Sequence, residues 1–154
     1  MKSIPLINLV SIGHLILLSL WGGVVAAEAV LELYPRHRPE LHPATIHVHY
    51  WIDLLIELPL VLAVIATGIT LAFLAWPLSS LHLLKIVGAA VAVSANLVCI
   101  VLVIRRGRSL RQGEPEPALL DLSRRIVRCA VVGMPFAVLA AGLGFWLAYQ
   151  RMLA

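Results

Sequence analysis

Charge is what this sequence has least of. Asp, Glu, Lys and Arg make up 13% of its 154 residues, about half their share in an ordinary soluble domain. Hydrophobic residues make up 61%, against roughly 45–50% in such a domain. That balance excludes a soluble enzyme, a disordered chain and a nucleic-acid-binding domain. Cysteine is scarce as well. Cys99 and Cys129 are the two in the chain, and they lack CxxC spacing. No disulfide framework or thiolate zinc site is read from them, and both read as small buried apolar residues. Internal repeats and low-complexity tracts are missing.

What is present is four long apolar stretches. A membrane helix needs about 20 apolar residues, so four spans and their loops use up the chain and leave no room for a soluble domain. The reading is an all-α, integral membrane four-helix bundle, one domain over 1–154, with spans at about 5–33, 46–76, 81–104 and 118–152 and lipid as its first partner. Lys2 and the apolar run after it imitate a signal peptide, but the run is long enough to span and reads as the first membrane helix. Pro35 and Pro39 end that span, because proline lacks an N–H and clashes with the preceding turn. Pro59 can kink the second. The turn at 76–80 offers Ser79 or Ser80 as an N-cap. Gly107, Gly113, Pro115 and Pro117 read as breakers in a loop at 105–117.

The net charge of +4 is unevenly spread. Arg105, Arg106, Arg108, Arg111, Arg124, Arg125 and Arg128 cluster around that third loop. By the positive-inside rule the loop is cytoplasmic. The first loop, with Arg36 and Arg38, falls on the same side. Both termini and the 76–80 turn then face the periplasm or exterior.

The chemistry sits in the few polar residues inside the apolar spans. Each buried charge there costs at least about 2.5–3.5 kcal/mol on insertion scales, so such residues read as functional. At about 100° per residue, His14, Trp21, Glu28 and Glu32 form one line on the first span. His49, Asp53 and Glu57 share a face of the second. His82, Lys85 and Asn96 share a face of the third. Pointed inward, Glu28, Glu32, His49, Asp53 and Glu57, with His47 at the edge, make a candidate metal site near the cytoplasmic end. Carboxylate and imidazole ligands suit iron, zinc or manganese, with copper also compatible. Two-metal carboxylate sites in helical bundles use a similar ligand set, although HxxxDxxxE here replaces their ExxH. The bland alternative pairs these carboxylates with Arg36, Arg38, Arg124, Arg125 and Arg128. For Glu32 it weighs as much as a ligand role. His37 and His42 read as solvated.

His14 lies about 21 Å along the helix from Glu28 at 1.5 Å per residue, too far to share one metal. It reads either as a haem or metal ligand or as a hydrogen-bonded core residue. Lys85, near the membrane edge, can snorkel outward.

His14 with Trp21-Gly22-Gly23, and His82-Leu83-Leu84-Lys85 followed by Asn96 and Arg105-Arg106, resemble the first and third helices of HemJ-type protoporphyrinogen oxidases. CopD-like copper-resistance membrane domains share the style. The resemblance covers the first three spans. It implies a bacterial inner-membrane location, haem b on His14, and a functional role for Lys85 toward the substrate or a propionate. The set Glu28, Glu32, His49, Asp53 and Glu57 is not part of that pattern, which argues for a different activity on a related scaffold.

Three functions follow as expectations. The first is a membrane redox protein with a metal centre, acting on a lipid-soluble substrate such as a porphyrin or quinone. The second is a protein that moves or delivers a metal ion or proton. The third is a subunit of a larger membrane complex or homo-oligomer, with Gly133, Gly142 and Gly144 of the last helix permitting close contacts.

Overall fold

In the computed structural model, residues 4–34 and 38–153 are described; Pro35, Arg36 and His37 of the first loop, Lys2 and the other terminal residues lie outside them. Four long helices account for nearly all of the described chain: α1 (Ile4–Leu33), α2 (His42–Leu74), α3 (Ser80–Arg111) and α4 (Glu116–Leu153). Each is long and apolar enough to cross a membrane, with mean hydropathy between 2.0 and 2.6 over its most apolar window. Among the described residues there is no strand.

Burial is inverted relative to a soluble bundle. Phe73 and Leu9 are 78% and 68% exposed, whereas Asp53 and Arg106 are 1% and 2% exposed. A bilayer solvates apolar side chains, so polar groups gain most from the interior, which they share with Ile46, Val61 and Val103. On α1 the buried residues among those described are His14, Trp21 and Glu28. They are seven apart, the spacing that keeps one seam facing a supercoiled neighbour.

The second helix begins at His42 with Pro43 in its first turn, where the missing N–H costs nothing. A short 3₁₀ turn, Pro39–Leu41, precedes it. Pro59 does not break α2. Its ring and absent N–H disturb the preceding turn, and the helix responds with a π-helical segment, Asp53–Glu57. Leu58 N–H there reaches back to Asp53 O. An α-helix would carry residues 49, 53, 57 and 61 around the axis by about 40° per step. The wider π turn offsets that drift, and His49, Asp53, Glu57 and Val61 all stay buried.

Between α2 and α3 the chain turns at residues 75–79. Ser79 is the N-cap in extended backbone, yet its hydroxyl meets the ring of His82 (Oγ–Nδ1, 2.7 Å) and caps no backbone N–H. The third helix departs from the sequence reading. It continues past Ile104 to Arg111, so Arg105, Arg106 and Arg108 are helical, not in a loop. Gly107 is no breaker. It lets Tyr50 of α2 pack against the helix, and a Cβ there would stand 2.7 Å from the Tyr50 ring. The Arg111 guanidinium covers the same ring at 4.6 Å. The helix ends in a Schellman motif, with Glu114 N–H on Ser109 O and Gly113 N–H on Leu110 O, both 3.1 Å. The motif needs the left-handed backbone that Gly113 adopts (φ 70°).

The most extensive packing is between α3 and α4. At Gly133 a Cβ would lie 2.8 Å from Ala95 Cβ, and Gly144 sits against the Lys85 side chain. A Cβ at Gly142 would meet nothing within 4 Å, so this glycine makes no close contact within the chain. Both cysteines are free. They bridge this pair of helices through their thiols, Cys99 to Ile126 O at 3.6 Å and Cys129 to Ala95 O at 3.4 Å.

Candidate metal centre

The polar interior is organised by one arginine. Arg106, on α3, bonds a residue from each of the other three helices. Nη1 donates to Glu32 of α1 (2.7 Å to Oε1, 2.9 Å to Oε2) and to Ser123 Oγ of α4 (2.6 Å), and Nη2 donates to His49 Nδ1 of α2 (3.0 Å). His42 extends this network, with Nε2 3.5 Å from Ser123 Oγ. From the sequence alone Arg106 reads as a loop residue and His42 as solvated. Both are buried, because a helix that runs on to Arg111 carries Arg106 into the bundle.

Deeper in the bundle, Glu28, His49 and Asp53 converge. Each offers one ligand atom, and these atoms all lie within 4.8 Å of one another. All three residues are more than nine-tenths buried. Glu28 Oε1 and Asp53 Oδ1 find no hydrogen-bond donor among the described residues, and the two carboxyl groups lie against each other. Asp53 Oδ1 stands 3.2 Å from His49 Nε2, at ion-pair distance but not in hydrogen-bonding orientation. Buried carboxylate oxygens without partners are costly, and Glu28 and Asp53 hold one each. Ligand atoms bound at about 2.1 Å lie about 3.4 Å apart around a tetrahedral metal, so a modest inward turn of these side chains closes the site.

Glu57 lies one turn further along α2. Its Oε1 accepts a bond from Trp21 Nε1 at 3.2 Å, and the Asn96 side chain stands beside it. Glu32 belongs to Arg106 and to His49, whose Nδ1 is 3.3 Å from Glu32 Oε2. Among the described residues the partner of Glu32 is therefore Arg106 and not Arg38, Arg124, Arg125 or Arg128; Arg36 lies outside them. His47 is exposed and packs edge-on against Trp51 at 6.4 Å, on the face away from the cluster. Of the six metal-ligand candidates the structure thus groups Glu28, His49 and Asp53, sets Glu32 behind His49, puts Glu57 deeper and leaves His47 outside.

His14 and Lys85 lie toward the opposite end. His14 Nδ1 is 2.7 Å from Thr67 Oγ1. Thr67 Oγ1 also reaches Ala63 O at 2.8 Å and Val64 O at 3.1 Å; a hydroxyl proton spent on either leaves its oxygen to accept from Nδ1–H, with the lone pair on Nε2. Lys85 lies near enough for its charge to act on His14. Its Nζ would be 3.3 Å from a Cβ at Gly144, so its stem is packed on α4. A Cβ added at Gly22 or at Gly23 would meet no neighbour within 4 Å.

No family model matches the chain, and no curated protein or solved structure matches it.

Proposed function

We propose that this is an integral membrane protein that binds a divalent metal ion inside the bilayer, through Glu28, His49 and Asp53. The observation that carries the reading is that one carboxylate oxygen each of Glu28 and Asp53 and a ring nitrogen of His49 lie within 4.8 Å of one another, in a pocket where Glu28 Oε1 and Asp53 Oδ1 are buried without a hydrogen-bond donor among the described residues. Of the four carboxyl groups gathered here (Glu28, Glu32, Asp53, Glu57), Arg106 bonds Glu32 alone among the described residues, which leaves Glu28 and Asp53 to the ion. One imidazole and two carboxylates suit zinc, iron or manganese better than a soft metal. When bound, the ion supplies a Lewis acid or, if iron or manganese, a one-electron centre. Glu57 and its Trp21 partner shape the wall beneath it.

A membrane setting is supported by the four apolar helices and by exposed aromatic residues at the helix ends. Tyr34 lies at the first-loop end, and Trp76, Trp146 and Tyr149 at the other, as in the aromatic belts at bilayer interfaces. Arg108, Arg111, Arg124 and Arg125 lie within about three turns of the first-loop end. The positive-inside rule makes that end cytoplasmic, which puts both termini outside.

A second reading attaches to His14. Its Nδ1 is engaged by Thr67, so Nε2 is the atom left to hold a haem iron, the arrangement usual for ligating histidines. This would fit a redox role on a lipid-soluble substrate.

Elemental analysis and an absorption spectrum on the purified protein in detergent test both readings. The first expects about one metal ion per chain without a Soret band, lost in Asp53→Asn and kept in His14→Gln. A Soret band lost in His14→Gln supports the second. A protein loaded under metal-replete conditions that holds neither overturns both.

A further inference from the structure

We infer that Arg106 and Glu32 govern the proposed metal site through His49, by deciding which ring nitrogen carries its proton. The inference rests on the metal reading above. A guanidinium has donors and no acceptor. Arg106 Nη2, 3.0 Å from His49 Nδ1, therefore makes Nδ1 an acceptor. The proton of the neutral ring then sits on Nε2, on the side of Asp53. In that tautomer Nε2 has no lone pair to offer a cation.

The same Nδ1 has a second neighbour of opposite character. Glu32 Oε2 is 3.3 Å away, and a carboxylate only accepts. A neutral histidine that ligates through Nε2 carries its proton on Nδ1 and donates it to a carboxylate or carbonyl. Glu32 lies at ion-pair distance, outside hydrogen-bonding orientation while Arg106 holds Nδ1, and receives the proton once Arg106 turns aside. The ring thus has two settings without change in its own proton count. In one, Nδ1 accepts from Arg106 and Nε2–H faces Asp53. In the other, Nδ1–H donates to Glu32 and Nε2 holds the ion. The exchange moves one proton off Nε2 and takes one up on Nδ1. Arg106 gives up its bond to α2 but keeps those to Glu32 and Ser123 through Nη1. Glu32 and Arg106 are positioning residues, and ion binding is coupled to the clasp that joins the four helices.

The test is ¹⁵N NMR of histidine-labelled protein in detergent, metal-free and with zinc. The His49 signals are those lost in His49→Gln. The expected result is an unprotonated Nδ1 and protonated Nε2 without zinc, and a protonated Nδ1 with zinc. Glu32→Gln, which keeps the shape but weakens the acceptor, should bind zinc about tenfold or more weakly and keep the metal-free tautomer. Zinc bound at full affinity with Nδ1 still unprotonated overturns the inference and leaves the metal site standing. A protonated Nδ1 before zinc is added overturns it as well. Zinc binding that survives His49→Gln unchanged overturns the metal site itself.

Discussion

Arg106 and Glu32, 74 residues apart in sequence, form a buried ion pair with one guanidinium nitrogen 2.7 and 2.9 Å from the two carboxylate oxygens. Breaking such a pair from one side leaves an uncompensated charge and costs about 3–5 kcal/mol, whereas removing both partners is often nearly neutral. Arg106→Met should therefore lower the thermal midpoint in detergent strongly, and Arg106→Met with Glu32→Leu should recover most of the loss. Additive losses in the double variant, followed by circular dichroism, would show that the pair does not act as a unit.

The metal site predicts linkage between ion and stability. A ligand that binds only the folded state stabilises it by about 2.7 kcal/mol at a hundred times its dissociation constant. Zinc or manganese should raise the midpoint of the wild type, and a chelator should reverse the rise. Glu28→Gln should abolish it, while Glu40→Gln, on an exposed residue outside the bundle, should leave it intact. An equal rise in Glu28→Gln would place the ion elsewhere.

Pro59 is tied to the site through the π-helical segment that precedes it. Pro59→Ala restores the missing N–H and lets α2 return to α register, which rotates Asp53 relative to Glu57. Metal affinity should fall by about tenfold, the scale typical of lost support around a ligand, while helix content measured by circular dichroism does not fall. Unchanged affinity would mean that the π segment survives without the proline or that the register does not matter.

Two glycines separate packing from propensity. Gly107→Ala places a methyl 2.7 Å from the Tyr50 ring and should cost about 1–3 kcal/mol, as overpacking does. Gly142→Ala meets nothing within 4 Å and should be neutral or stabilising by up to about 1 kcal/mol from helix propensity. Thermal midpoints of the two variants, measured side by side, test the contrast. A loss at Gly142 would point to a partner covering that face.

The sequence by itself determined the four helices and the polar residues available to any site, because both are local properties. Hydropathy over twenty residues marks a span wherever it packs. A carboxylate in such a span must face inward whatever its partner, so Glu28, Asp53 and Glu57 stood out without a structure. Where α3 ends was not legible in this way. Gly107 reads as a breaker until Tyr50 is seen against it, and a run of arginines reads as a loop until one of them is seen to reach Glu32. Tertiary structure alone decided the pairing: that Arg106 is the cation, that His42 and Ser123 join it, that His47 turns away, and that Glu28, His49 and Asp53 share one small volume. The reason is physical. Partner choice inside a bundle depends on depth and rotation of helices that lie far apart in the chain, and a π turn at Asp53–Glu57 shifts that rotation by an amount no helical wheel contains.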